Sequence, residues 1–157
     1  MWDPALAGLL RLKADPRTLA DMSDSGFHIR REALDVIVAH ARAETPAECC
    51  GILIGCGTSI DKAVRARNIA PGPTRFLIDP KDHIDVRRAA RDVGLEVVGF
   101  YHSHPRSPAW PSPTDVAEAA YPESVHLIVS LEGGAAETRL FRIAHGSAIE
   151  LPLESVA

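Results

Sequence analysis

Cysteine is scarce in the 157-residue chain, which carries only Cys49, Cys50 and Cys56. An odd number of thiols crowded into one short stretch excludes a disulfide framework and points to a reducing compartment, read here as the cytoplasm. Each thiol reads as a small buried apolar side chain, and nothing marks one of them as an activated nucleophile. Strong charge of either sign is missing as well. Seventeen basic residues against twenty-one acidic ones leave a net charge of -4, which lacks the basic footprint of a nucleic-acid binder. Long apolar runs are also absent. Val125-His126-Leu127-Ile128-Val129 is among the longest, far too short to cross a bilayer, so no membrane partner is expected. No basic stretch followed by an apolar region opens the chain, so no signal peptide is expected. What remains is 46% apolar and 24% charged residues, the balance of an ordinary globular domain able to bury its own core.

Residues 1–26 differ from the rest. A short amphipathic run at 5–13 is followed by Asp15-Pro16 and Ser23-Asp24-Ser25-Gly26, residues that punctuate rather than build. This reads as an N-terminal extension, either flexible or holding one short helix, ahead of a domain spanning 27–157. Within that domain Phe27-His28-Ile29 is a strand candidate. Ile29, Leu34, Ile37, Val38 and Ala41 recur near helical spacing, and Thr45-Pro46 ends that helix. Strands are expected at 50–55, 63–69, 76–78, 95–101, 125–130, 138–143 and 148–153, bounded by glycine and proline turns. Asp79 caps a helix from Pro80 to Asp92, with Pro80 in the first position and Gly94 as the stop. A short helix is expected at 114–120. Strands and helices are interspersed without repeats, so the fold class is mixed α/β: a central, mostly antiparallel sheet flanked by two main helices, with a third short helix near the Pro-rich loop 105–113.

Chemistry concentrates between Gly99 and Asp115. His102 and His104 stand two apart at the end of a strand, so both imidazoles project to one face and can converge on one ion at about 2.0–2.1 Å. An oxygen ligand would complete a catalytic zinc site that keeps one position for water. Asp115 is the candidate for that ligand, in the first turn of the helix after the loop. It has a competing role. Ser112-Pro113-Thr114-Asp115 matches a capping arrangement, with Ser112 as cap, Pro113 first and Asp115 third. Ser103, between the histidines, points to the opposite face, toward packing or hydrogen bonding. Trp110 in the loop is either an anchor packed on the core or a substrate contact. His28, His40, His83, His126 and His145 have no partner at ligand spacing and read as structural or surface residues.

The segment His102-Ser103-His104-Pro105, with Ser112 and Asp115 downstream, resembles the JAMM (MPN+) family of zinc metalloproteases. Six residues separate Pro105 from Ser112. Ala47-Glu48-Cys49-Cys50-Gly51 resembles the upstream acidic segment of that family, and 76–80, 98–101 and 129–131 add further similarity. The resemblance covers about residues 27–153 and implies a JAMM/MPN fold, related to the cytidine-deaminase-like architecture. It implies that His102, His104 and Asp115 ligate one Zn²⁺ per chain, that Glu48 acts as general base on the attacking water, and that Ser112 donates a hydrogen bond to the developing oxyanion. Such a donor is worth about 3 kcal/mol in comparable sites.

Compact one-domain chains of this kind resemble prokaryotic enzymes that hydrolyse a peptide or isopeptide bond after the C-terminal Gly-Gly of a ubiquitin-like or sulfur-carrier β-grasp protein. That carrier is therefore the expected partner. A zinc amidohydrolase acting on a small-molecule amide or a cell-wall peptide is the alternative. A non-catalytic scaffold of the same fold ranks below both, because every ligand position is filled. A nucleobase deaminase is disfavoured by the missing Pro-Cys-x-x-Cys segment. Monomer and homodimer are both open.

Overall fold

The computed structural model describes residues 26–157. The short helix expected at 5–13 lies outside the described residues. Eight strands form one sheet: β1 (Phe27–Arg30), β2 (Cys50–Cys56), β3 (Ser59–Ala66), β4 (Glu96–His104), β5 (Val125–Ser130), β6 (Glu137–Ala144), β7 (Ser147–Leu151) and β8 (Leu153–Val156). The helices are α1 (Arg31–Glu44), α2 (Pro80–Asp92) and α3 (Pro113–Glu118). The expected class is borne out. The spatial order is β7-β6-β5-β4-β2-β3-β1-β8. Four of the seven pairings are antiparallel, and β1–β3, β1–β8 and β4–β5 are parallel.

The two edge strands, β7 and β8, are consecutive in the chain and separated only by Pro152. The sheet therefore curls until its edges approach. Pro152 has no N–H to continue a ladder, but its carbonyl accepts from Phe27 N at 2.9 Å and starts the β1–β8 pairing. This corrects the single strand expected at 148–153: one apolar run serves two edges. The strand expected at 63–69 lies four residues earlier, because Gly57, at φ 59°, turns the chain directly back from β2 in a left-handed conformation that suits glycine. The strand expected at 76–78 is reduced to one bridge, Asn68 to Ile78. Asn68 Oδ1 takes the amides of Ala70 (3.0 Å) and Leu77 (2.9 Å) that a ladder would have used.

The helix α1 buries Ala33, Ile37, His40 and Ala41, one stripe at helical spacing, and touches β1, β3, β4, β5 and β8. With Leu53, Tyr101, Leu127 and Leu140 this stripe makes the main core on one face of the sheet. On the other face α2 covers Cys50, Ile52 and Phe100, while Val116 of α3 packs with Ala109, Ile128 and Phe141. The β2–β4 register shifts after Leu53, so that Val98 has no residue opposite it. The shift resets the alternation of β4. Phe100, His102 and His104 face the α2–α3 side, while Tyr101 and Ser103 face α1.

Tyr101 anchors β4 from behind. Its hydroxyl lies 2.8 Å from His40 Nδ1. Burial holds His40 below its ordinary pKa and Tyr101 well above its own, so a protonated phenol donates to a neutral imidazole. A Cβ on Gly51 would fall inside the Tyr101 ring, and that ring is fully buried. Gly51→Ala is therefore expected to destabilise the protein by about 1–3 kcal/mol through overpacking. Urea unfolding measures this, and an unchanged midpoint would show that the ring can move.

Candidate metal centre

The last residues of β4 carry the imidazoles. Because β4 is an interior strand, paired with β2 and β5, its end is held rigidly from both sides. His102 and His104 are 2% and 5% exposed, and their Nε2 atoms are 3.1 Å apart. Asp115 Oδ2 lies 3.1 Å from each of them. His104 Nδ1 is 2.8 Å from the carbonyl of Pro108. A carbonyl can only accept, so Nδ1 carries the proton and Nε2 presents its lone pair inward. Phe76 stacks on His102 at 4.1 Å and 16°, fixing that ring as well.

Asp115 caps the short helix and turns the same carboxylate oxygen toward the two imidazoles. Ser112 Oγ accepts from Asp115 N at 3.0 Å, and Ser112 N donates to Asp115 Oδ2 at 2.9 Å, a complete capping box. The same Oδ2 faces the two imidazoles. Burial pushes the Asp115 carboxyl up, but the two imidazoles against it outweigh that and hold the group well below the usual carboxylate range. Capping and convergence are compatible because they use different lone pairs of one oxygen.

Glu48 sits just before β2 and is 8% exposed. Its neighbour Cys49 is pinned to β4 twice: Cys49 N donates to Ser103 Oγ at 2.8 Å, and Ser103 N donates to Cys49 O at 3.0 Å. The residue between the two histidines therefore registers the acidic segment against them. One atom each of Glu48, His102 and His104 lie within 4.8 Å of one another, a looser set than the 3.1 Å triangle. Burial raises the Glu48 carboxyl from 4.5 to about 7, with His104 opposing the shift and Asp115 adding to it. The folded pKa therefore exceeds the unfolded one. The stabilising, protonated form is fully present below pH 4.5 and is lost as pH rises through about 7. Glu48→Gln should stabilise the metal-free protein at pH 8 by up to about 3 kcal/mol and leave it unchanged at pH 4. Denaturant unfolding at the two pH values measures the difference, and equal effects at both would show that Glu48 is not strained by burial.

The donor set fits a cation. With His104 Nε2 unprotonated and Asp115 ionised, lone pairs converge on one point within a buried site, an arrangement that a positive ion relieves. A tetrahedral ion with bonds of about 2.0–2.1 Å spaces its ligands about 3.3 Å apart, close to the 3.1 Å seen here. Two imidazole nitrogens and one carboxylate oxygen suit zinc with an open position. Cavities flank the cluster on either side. One, of about 320 Å³, is lined by Phe76, Ile78, Phe100 and Tyr121 beside His102 and Asp115. The other, of about 530 Å³, is lined by Glu48, Thr74, His104, Arg106 and Ser112.

Trp110 lines neither cavity. It is 51% exposed and packs edge-on against Phe141, with centroids 5.1 Å apart. His83 and His126 line the first cavity, a placement their spacing in the sequence did not suggest. His28 is exposed and faces Glu154 at 3.6 Å. The sequence reading missed Asn68, the Phe76 stack and the Pro108 carbonyl. A polar residue flanked by strand-like segments was the one available sign of Asn68, and a backbone carbonyl carries no side-chain signal.

Comparison with known proteins agrees with this geometry. Residues 30–144 match the family described as prokaryotic homologs of the JAB domain. A desampylase of Haloferax volcanii is 36% identical over 119 residues, covering 71% of this chain and 86% of that one. A CysO-cysteine peptidase of Mycobacterium tuberculosis is 34% identical over 131 residues, covering 82% and 90%. The solution structure of a Desulfitobacterium hafniense protein superposes with a TM-score of 0.76 at 28% identity, covering 83% of this chain and 92% of that one. The motif, the fold and the sequence relatives agree: the chain belongs to the prokaryotic JAB-domain (JAMM/MPN+) family.

Proposed function

We propose that the protein is a zinc-dependent peptidase that hydrolyses the amide bond after the C-terminal Gly-Gly of a ubiquitin-like or sulfur-carrier β-grasp protein. The observation that carries this reading is the 3.1 Å triangle of His102, His104 and Asp115 with the carboxyl of Glu48 beside it. Zinc held by the triangle would bring the pKa of a water to near 7 and polarise the scissile carbonyl. Glu48 takes the proton of the attacking water on its carboxylate and delivers it to the leaving amine nitrogen. Ser112 Oγ already accepts from Asp115 N, which leaves its own proton to donate to the developing oxyanion.

Support for the substrate class comes from the relatives, named for a desampylase and a CysO-cysteine peptidase, and from the cleft. A Gly-Gly tail lets an extended backbone pass close to a recessed metal where a Cβ would obstruct it. The domain of 27–157 carries the whole cluster. Cys49, Cys50 and Cys56 are all free thiols, which supports placement in the cytoplasm. Among the described residues no helix is long and apolar enough to cross a membrane.

The test is a panel of β-grasp carriers bearing C-terminal extensions, incubated with the protein with and without a chelator. Cleavage after Gly-Gly that the chelator stops is the expected result. Protein holding one zinc per chain that cleaves none of them, but hydrolyses small amides or cell-wall peptides, would overturn the substrate assignment.

A further inference from the structure

We propose that Asn68 is a positioning residue that ties the backbone of Glu48 to the loop walling both cavities, an inference that rests on Glu48 being the base. All four hydrogen bonds of its carboxamide have partners that fix which way it faces. Nδ2 donates to the carbonyls of Glu48 and Arg75, each at 3.0 Å. Oδ1 accepts from the amides of Ala70 at 3.0 Å and Leu77 at 2.9 Å. The first partner is the base itself. The other three span the loop 70–77, which supplies Phe76 and Leu77 to the apolar cavity and Pro73 and Thr74 to the cavity containing Glu48.

The same loop holds the ring stacked on His102, and Arg75 reaches Glu118 of α3 at 2.6 Å. No other part of the Glu48 backbone is bonded to that loop among the described residues. Movement of the loop when substrate enters either cavity is thus transmitted through one side chain to the acid beside the metal ligands. The donor half of the carboxamide holds the Glu48 and Arg75 carbonyls, and the acceptor half holds the loop amides of Ala70 and Leu77. An aspartate at this position keeps the acceptor bonds to Ala70 and Leu77 and loses the donor bonds to Glu48 and Arg75, which separates the amide contacts from the carbonyl contacts.

In full-length zinc-loaded protein, Asn68→Asp should lower kcat about 10–100-fold, as expected for a misplaced catalytic group, and leave KM within about twofold. Asn68→Ala should lower kcat equally and raise KM about fivefold, because the loop loses its order and with it ground-state binding. Hydrogen exchange gives a readout independent of substrate. The Cys49 amide should exchange about tenfold faster in both variants, and the Ala70 and Leu77 amides only in Asn68→Ala. Wild-type kcat in Asn68→Asp, or unchanged Cys49 exchange in both variants, would overturn the role. If Asn68→Ala fails to fold, the Asn68→Asp arm decides alone. Failure of the wild-type protein to cleave any Gly-Gly carrier would sink the substrate reading, and the exchange pattern would still decide Asn68.

Discussion

Glu48→Gln should lower turnover by about 10²–10⁴-fold, the usual contribution of a general base, while the protein keeps one zinc per chain. Glutamine preserves the shape of the side chain and removes its basicity, so the comparison isolates proton transfer. Retention of zinc follows from the geometry. The Nε2 atoms of His102 and His104 and Oδ2 of Asp115 already close a 3.1 Å triangle, and Glu48 belongs to a wider grouping in which atoms are up to 4.8 Å apart. Steady-state kinetics together with metal analysis reads both quantities. Turnover at the normal rate would remove Glu48 from the chemistry. Loss of zinc together with activity would instead make Glu48 a ligand and call for Asp115 to be reassigned.

Asp115 offers the second large effect, because one oxygen accepts from the helix cap and faces both imidazoles. Asp115→Ala should empty the metal site, leaving far less than one zinc per chain after gel filtration, and should abolish hydrolysis. It should also cost the metal-free protein about 1 kcal/mol, the usual effect of deleting a cap. Asp115→Asn separates these contributions. An asparagine Oδ1 can still accept from Ser112 N, so the cap survives, but the negative charge opposite His102 and His104 is gone. Metal-free stability should then stay near wild type while zinc affinity falls. Full zinc occupancy in Asp115→Ala would reduce the residue to a helix cap.

Part of this was legible in the chain before any coordinates. Pro80–Asp92 and Val125–Ser130 have the bounds expected of them, because each is delimited by local signals: an Asp-Pro cap and start, a helix-stopping glycine, and an apolar run broken only by His126. Elements whose limits depend on a partner were less readable. The strand β3 begins at Ser59, in a polar stretch that pairs only because Gly57 folds it onto β2. The segment 76–78 has strand-like residues, yet Asn68 captures the amide that would have extended its pairing. The run 148–153 serves both edges because the sheet curls, and curvature is a property of eight strands together.

The candidate site divides along the same line. Two imidazoles on one face of a strand follow from the spacing of His102 and His104 alone, since side-chain alternation is local. The cap formed by Ser112 and Asp115 is also a short-range pattern. Family resemblance, carried by widely separated residues, is what linked Glu48 to them. Only the tertiary structure set Oδ2 of Asp115 at equal distance from both histidines, bonded Ser103 behind the metal face to Cys49, and placed Asn68 against the Glu48 carbonyl. The physical reason is range. Spacing determines which way a side chain points from its own backbone, whereas the meeting of groups from four separate segments depends on the curl, the register shift at Val98 and the packing of α2 and α3 that hold those segments together.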